Sequence, residues 1–498
     1  MYQGSVIARS TAWNLLGQTV PAVAALFAVP VLIRGLGTER FGILTLAWTL
    51  IGYFSLFDFG LGRALTQVVS ERLGLNRDSE IVVIVWTATY AMALFGLAAA
   101  GALAFASPWL VGSVLKVPSH LVGETEQAFW ILSAALPIVT AHAGLRGVLE
   151  AWLRFDLTNA VRIPMGVLTF VGPVLILPFS RSLLAAVAVL GVVRLVGFVS
   201  QLLLSLRAVP SLRRLTPPTF TAVIPLLRFG SWMTVSNIVS PLMVSIDRFL
   251  IGAMISMAAV AYYATPYEAV TKLLLLPAAL VGVLFPAFSR TFVRDRARAV
   301  RLFRRGVKAL TIVLFPLCLL TTLFARQALT IWLGTDFADK STTVLQLLAI
   351  GVFVNGLANV PFAFIQGIGR PDLTAKLHLL ELPIYATALW WFAHLWGIVG
   401  VAVAWVFRVA LDALLLFLTT ERALKSEGAG AGRLFLGFAI VLLAFGVAAD
   451  RISLAPRILV AAFTLLAFVG LGWAWILDGE DRALFTQGLR ALTVRGRG

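Results

Sequence analysis

The residues of this sequence whose types could do chemistry are charges set inside otherwise apolar runs. They are Asp58, His142, Arg146, Arg162, Arg194, Asp247, Arg248, Glu268, Lys272, His378, Glu381, Arg408 and Asp412. A charge at the centre of a bilayer costs roughly 3 kcal/mol on insertion scales, so each is a functional candidate by default. Arginine's planar fork grips the oxygens of an anion in pairs. Arg146, Arg162, Arg248 and Lys272 are therefore candidates for holding a bulky anion. Asn237 and Asn355 are candidates for hydrogen bonds to hydroxyl groups. Asp58, Asp247, Glu268, His378 and Glu381 are candidates for coupling or gating, because carboxylates and imidazole can take up a proton or a cation.

Plainer readings compete with each of these. Glu268 and Lys272, Arg408 and Asp412, and Arg146 and Glu150 stand four apart, a spacing that pairs charges along one helix. His378 and Glu381 share a helix face, either as a relay or as a polar patch. Asp247 and Arg248 are adjacent, so they point about 100° apart and one of them needs another partner. Arg146 and Arg162 lie near a span end and could snorkel to the headgroups. Asn residues more often join helices. Asp58 precedes Gly60 and Gly62, where capping or pairing with Arg63 also explains it. His142 and His378 are too far apart in the chain to suggest a metal site.

The elements that position these residues follow from composition. The chain has 498 residues, of which 60% are hydrophobic and 13% charged, with a mean hydropathy of +0.94. Soluble domains carry roughly 25% charged residues, so an ordinary globular enzyme, a disordered chain and a disulfide-stapled module are excluded. Cys318 is the one cysteine and allows no internal disulfide. The net charge of +17 does not point to nucleic acid, because the basic residues sit mostly in short loops between apolar runs. The N-terminal run reads as a retained span, since it continues to Ile33 without a small-residue cleavage site.

About 20 apolar residues make a helical span. Such runs are expected at 12–33, 41–62, 82–107, 127–149, 158–179, 183–206, 230–253, 257–289, 306–325, 342–365, 375–395, 397–419, 433–449 and 457–477. The eighth is too long for a straight crossing and should break near Pro266 or Pro277. Lys and Arg favour the segments on the N-terminal side by roughly three to one, which places both termini in the cytoplasm. No GxxxxGK[ST] loop is present, so ATP hydrolysis by that route is not expected. The Arg-rich segment 290–308 fixes topology or lies along anionic headgroups. The connections 108–126 and 326–341 hold too few catalytic residue types for a polytopic glycan polymerase, ligase or glycosyltransferase.

Two stretches repeat in layout. One begins at Trp13 and the other at Trp232, with an internal proline in each at Pro21 and Pro241. The expected organisation is all-α: a lobe at 1–206, a linker at 207–229, a second lobe at 230–419, and two further helices with a tail at 420–498. Parallel repeats of this kind build many secondary transporters.

Three segments carry a family resemblance: RFGILTLAWTLIGYFSLFDFGLGRALTQ (40–67), TVSNIVSPLMVSIDRFLIG (234–252) and AVAYYATPYEAVTKLLLLPAALVGVLFPAFSR (259–290). Over roughly the first 420 residues, the sequence resembles the Wzx-type oligosaccharide flippases of the multidrug/oligosaccharidyl-lipid/polysaccharide exporter superfamily. The resemblance implies a fourteen-helix, MATE-like bundle in the bacterial inner membrane. It implies movement of an undecaprenyl-diphosphate-linked oligosaccharide between leaflets by alternating access. No cofactor is implied beyond sodium or proton coupling. The implied partners are the lipid-linked glycan, membrane lipids and a polysaccharide polymerase or chain-length machinery, with a monomer as the working unit. A cation-coupled multidrug exporter and a lipid II flippase share this layout and stay open as alternatives.

Overall fold

The computed structural model describes residues 2–56, 65–66, 68–69, 72–73, 77–152, 154–219, 243, 245–424, 429–449 and 452–471. All regular structure among the described residues is helical. Among the described residues, eight stretches are long and apolar enough to cross a membrane, so this is a multi-pass membrane protein. The residues pack into two compact units, 1–265 with 393–398, and 266–392 with 399–498.

The first unit contains α1 (Tyr2–Leu36), α2 (Thr38–Leu56), α3 (Asp78–Trp109), α4 (Val122–Ala151), α5 (Phe155–Ile176) and α6 (Leu183–Ala208). It also holds α7, helical over 245–254, and the start of α8 (Met257–Thr271). Lipid offers helices no hydrophobic drive to associate, so close backbone approach and interhelical hydrogen bonds hold them together. The α3–α4 seam has both. A Cβ on Gly96 would meet the Pro137 backbone at 2.6 Å, and the Thr140 hydroxyl donates to the Met92 carbonyl at 2.9 Å. At the other end of α4, Glu124 accepts from Arg40 Nε at 3.0 Å and from Ser182 Oγ at 2.6 Å. It also accepts from the backbone N–H of Leu183, one of the donors that every helix start leaves over. One carboxylate thus ties the first turn of α6 to α4 and α2.

The second unit contains the rest of α8, then α9 (Leu275–Arg294), α10 (Arg296–Leu323), α11 (Ala325–Leu333), α12 (Thr335–Gly367), α13 (Pro371–Leu424), α14 (Ala429–Ala449) and α15 (Leu454–Leu471). α12 is its axis: 83% of its spanning window is buried, as expected of a helix apolar all round. α9, α10, α11 and α14 pack on it. Trp405 is almost wholly buried and lies against Gly351, where any side chain would collide with its ring.

The breaks have local causes. The eighth expected span divides at a 3₁₀ turn, Lys272–Leu274, between the two prolines. Pro277 has no N–H for the Leu273 carbonyl and its ring crowds that group. The eleventh and twelfth expected spans form the two arms of α13, separated at Trp396 and at Gly397, which has φ 57°. A left-handed residue costs roughly 1–2 kcal/mol with a Cβ, so glycine suits the joint. The 326–341 connection, expected as a loop, is helical on both sides of Gly334 (φ 95°). Its polar residues pair on the helix: Lys340 Nζ lies 2.9 Å from Asp336 Oδ1. The Arg-rich segment breaks once, at Asp295, whose carboxylate caps α10 by accepting from the Arg298 N–H at 2.9 Å.

Glu124→Ala strands the Leu183 N–H and the Arg40 guanidinium. The expected cost is about 1–3 kcal/mol, read as a melting temperature about 2–5 °C lower in detergent. An unchanged melting temperature would mean that α6 is held by packing alone.

Candidate functional site

Within the first unit, α4, α5 and α6 surround a cavity of about 210 Å³. α4 supplies His142 and Arg146, α5 supplies Thr158, Arg162 and Thr169, and α6 supplies Arg194 and Gln201. No carboxylate lines it among the described residues. Arg146 is balanced at its own helix turn, with Nε 3.5 Å from Glu150 Oε1. Arg194 Nη2 donates to the Thr169 hydroxyl at 3.1 Å, a neutral partner. His142 Nδ1, Arg194 Nε and Gln201 Nε2 are buried with no hydrogen-bond partner among the described residues. Cationic donors collected without a carboxylate among the described residues, around a space too small for a sugar chain, suit a compact oxyanion.

Of the residues expected to hold an anion, the structure brings Arg146 and Arg162 together and adds Arg194 and His142. Arg248 does not line this cavity. It is buried, with Nη1 donating to Thr49 Oγ1 at 3.1 Å and its N–H to Asp247 Oδ1 at 2.7 Å. Tyr263 donates its hydroxyl to the other Asp247 oxygen at 2.8 Å. Asp247 and Arg248 therefore knit α2, α7 and α8. Lys272 Nζ lies 3.5 Å from Glu268 Oε2, and both side chains are about half exposed. Asn355 lies on α12, its carbonyl accepting from Asn359 Nδ2 at 2.9 Å. Asp58 and Asn237 lie outside the described residues.

The second unit holds its own cluster. His378 and Glu381 on the first arm of α13 meet Asp412 on the second, with ligand atoms within 4.8 Å of one another. His378 Nε2 is 3.9 Å from Asp412 Oδ1. Glu381 is fully buried. The Arg408 guanidinium lies over the Tyr385 ring, 5.4 Å from its centroid, and His378 stacks on Phe362 at 6.1 Å.

These two places occupy one repeated frame. Arg154-Phe-Asp-Leu-Thr158 opens α5 and Arg370-Pro-Asp-Leu-Thr374 opens α13. In each the arginine forks onto the aspartate, at 3.0 and 3.0 Å in the first and at 3.0 and 3.1 Å in the second. Each arginine N–H donates to the carbonyl five residues earlier, at 2.9 Å to Leu149 and 3.1 Å to Ile365. Counting on from either arginine, Arg162 matches His378, Met165 matches Glu381 and Thr169 matches Tyr385. Arg194 reaches Thr169 as Arg408 reaches Tyr385. Four residues beyond those arginines stand Phe198 and Asp412. The matched position is thus apolar Met165 beside the cations of the first unit's cavity and the carboxylate Glu381 in the second unit.

The fold and this geometry can now be set beside known proteins. The lipid II flippase MurJ in an inward closed conformation superposes with a TM-score of 0.71 at 13% identity, over 93% of this chain and 99% of that one. A MATE-family multidrug resistance transporter in an inward-facing conformation gives 0.70 at 15% identity, over 82% and 98%. The fold is that of the multi-pass MOP superfamily transporters. Residues 7–292 match the family described as polysaccharide biosynthesis protein. A Shigella flexneri protein named as an O-antigen transporter is 32% identical over 414 residues, 82% of this chain and 96% of that relative. The lipopolysaccharide biosynthesis protein WzxC of Escherichia coli strain K12 is 22% identical over 407 residues, 81% and 78% of the two chains. The chain belongs to the polysaccharide biosynthesis protein family.

Arg194→Gln should weaken binding of inorganic pyrophosphate to the purified protein by about tenfold or more, since a hydrogen bond to a charged group is worth about 1.5–3 kcal/mol. Isothermal titration calorimetry in detergent reads this. Equal affinity in the variant would remove Arg194 from the anion site.

Proposed function

We propose that this protein carries an undecaprenyl-diphosphate-linked oligosaccharide from the inner to the outer leaflet of the bacterial cytoplasmic membrane. The observation that carries the reading is the acid-free cavity of Arg146, Arg162, Arg194 and His142. With Arg146 balanced by Glu150, the charges of Arg162 and Arg194 are left to meet a diphosphate diester. At about 210 Å³ the cavity accepts the diphosphate and leaves the sugars outside it. Asn355, Lys272 and Arg248 are the further residues proposed toward the glycan or the moving elements. The O-antigen and lipopolysaccharide names of the relatives support the same substrate class. A multidrug exporter for cationic drugs would favour carboxylates where this cavity has arginines.

Transport proceeds by alternating access between lobes at 1–206 and 230–419, and the repeated Arg-x-Asp-Leu-Thr frame supports that duplication. The His378–Glu381–Asp412 cluster is the coupling site. Its neighbours are Arg408, Tyr385 and Phe362. A guanidinium and an imidazole beside two carboxylates disfavour a metal cation, so the coupled ion is a proton. No chemistry on the substrate is proposed. Both termini face the cytoplasm, the working unit is a monomer, and polymerase or chain-length proteins act on the delivered product.

Two measurements test this. In proteoliposomes carrying the lipid-linked oligosaccharide, lectin access to the far leaflet should fall about 100-fold in Arg162→Ala/Arg194→Ala at equal reconstitution, two contacts at about 1.4 kcal/mol each. Wild-type-like transport by that variant would reject the cavity as the diphosphate site. Glu381→Gln should abolish acceleration by an imposed pH gradient while leaving pyrophosphate binding intact. Retained acceleration would place coupling elsewhere.

A further inference from the structure

The basic cavity is not the only space along α5 and α6. A second, mainly apolar groove of about 340 Å³ runs along the same two helices, lined by Pro164, Leu168, Val196 and Leu203, with Ser200 and Arg207 as its polar members. Leu168, Val196 and Leu203 are 36%, 55% and 50% exposed, as residues facing lipid are. The cavity and the groove have one lining residue in common, Met165. Its thioether lies across Gly197 so closely that any Cβ there would strike the sulfur. This contact lies where the lining of the polar chamber meets that of the apolar groove. Methionine is unbranched and has three rotatable bonds, so it can swing where a β-branched residue could not. In the second unit the matching position is Glu381, fully buried.

We propose that the α5–α6 seam is a lateral portal: the isoprenoid chain of a lipid whose diphosphate sits in the cavity passes Met165 and lies in the groove. This rests on the diphosphate reading of the cavity and adds the route by which head and tail stay connected. An amphiphile with a compact anionic head and a branched apolar tail is the one ligand chemistry that fills both spaces at once. Continuity through a single flexible side chain distinguishes the groove from ordinary annular lipid sites, which need no polar chamber behind them.

The test uses the full-length protein in nanodiscs with a short polyprenyl diphosphate that carries a diazirine on its first isoprene unit. Photolabelled peptides are mapped by mass spectrometry. Labelling is expected at Met165, Leu168, Val196 or Leu203, and excess inorganic pyrophosphate should reduce it at least fivefold, because head and tail are one ligand. Labelling that is indifferent to pyrophosphate, while calorimetry detects pyrophosphate binding, would make the groove a plain lipid site and overturn the portal but not the cavity. Labelling confined to other helices would do the same. Absence of pyrophosphate binding by calorimetry would overturn the cavity reading and the portal with it. A variant tests the gate: Gly197→Ala forces Met165 to move, so groove labelling at matched pyrophosphate-site occupancy, set by calorimetry on the same variant, should change at least twofold. Unchanged labelling in that variant would contradict Met165 as the gate.

Discussion

A guanidinium within a membrane span must meet a counter-charge or a ligand, and this chain resolves that demand in two ways. Some of its intramembrane cations are satisfied within the protein, as Arg146 is by Glu150 and Lys272 by Glu268. Arg162 and Arg194 have no carboxylate within ion-pair distance among the described residues. They are held by three helices whose positions depend on backbone contact at Gly96, on the Glu124 clamp and on the Met165–Gly197 seam. In the proposed function, the stability that would come from ion pairing is left for an anion to supply, as suits a site that must also release its cargo.

On the proposed reading, a small change within two related frames separates an anion site from a proton site. The Arg-x-Asp-Leu-Thr opening fixes where each helix starts, and therefore which residues face inward two and four turns later. Within that register Met165 stands against Glu381, and on the neighbouring helix or arm Phe198 stands against Asp412, four residues beyond Arg194 and Arg408. Arg194 and Arg408 differ by two residues in that count, and each reaches back to the matching position of the preceding helix or arm, Thr169 and Tyr385. A duplicated scaffold can in this way carry a substrate site and a coupling site without building either from new elements.

Much of the fold was legible in the sequence because hydropathy and length are one-dimensional signals. The spans, the break between Pro266 and Pro277 and the joint at Gly397 all follow from local physics. The 326–341 segment misled because a polar stretch reads as a loop, whereas paired charges such as Asp336 and Lys340 also suit a helix. The site was only half legible. Spacing of four residues advertises pairs within one helix, so Arg408–Asp412 looked self-contained and the approach of His378 and Glu381 from the other arm was hidden. Arg194 offered a usable signal: no acid lies within a turn of it in the sequence. An unbalanced charge of that kind is more informative than a balanced one. The repeated pentapeptide was equally present in the sequence, and only the matching hydrogen bonds made it visible.

The central claim is that the diphosphate of the transported lipid is bound by arginines of α4, α5 and α6. A cryo-electron microscopy map of the protein with an undecaprenyl-diphosphate oligosaccharide tests it most directly. The account predicts diphosphate density within hydrogen-bond reach of Arg162 and Arg194. Well-resolved diphosphate density elsewhere, with these arginines turned onto protein carboxylates, would contradict it.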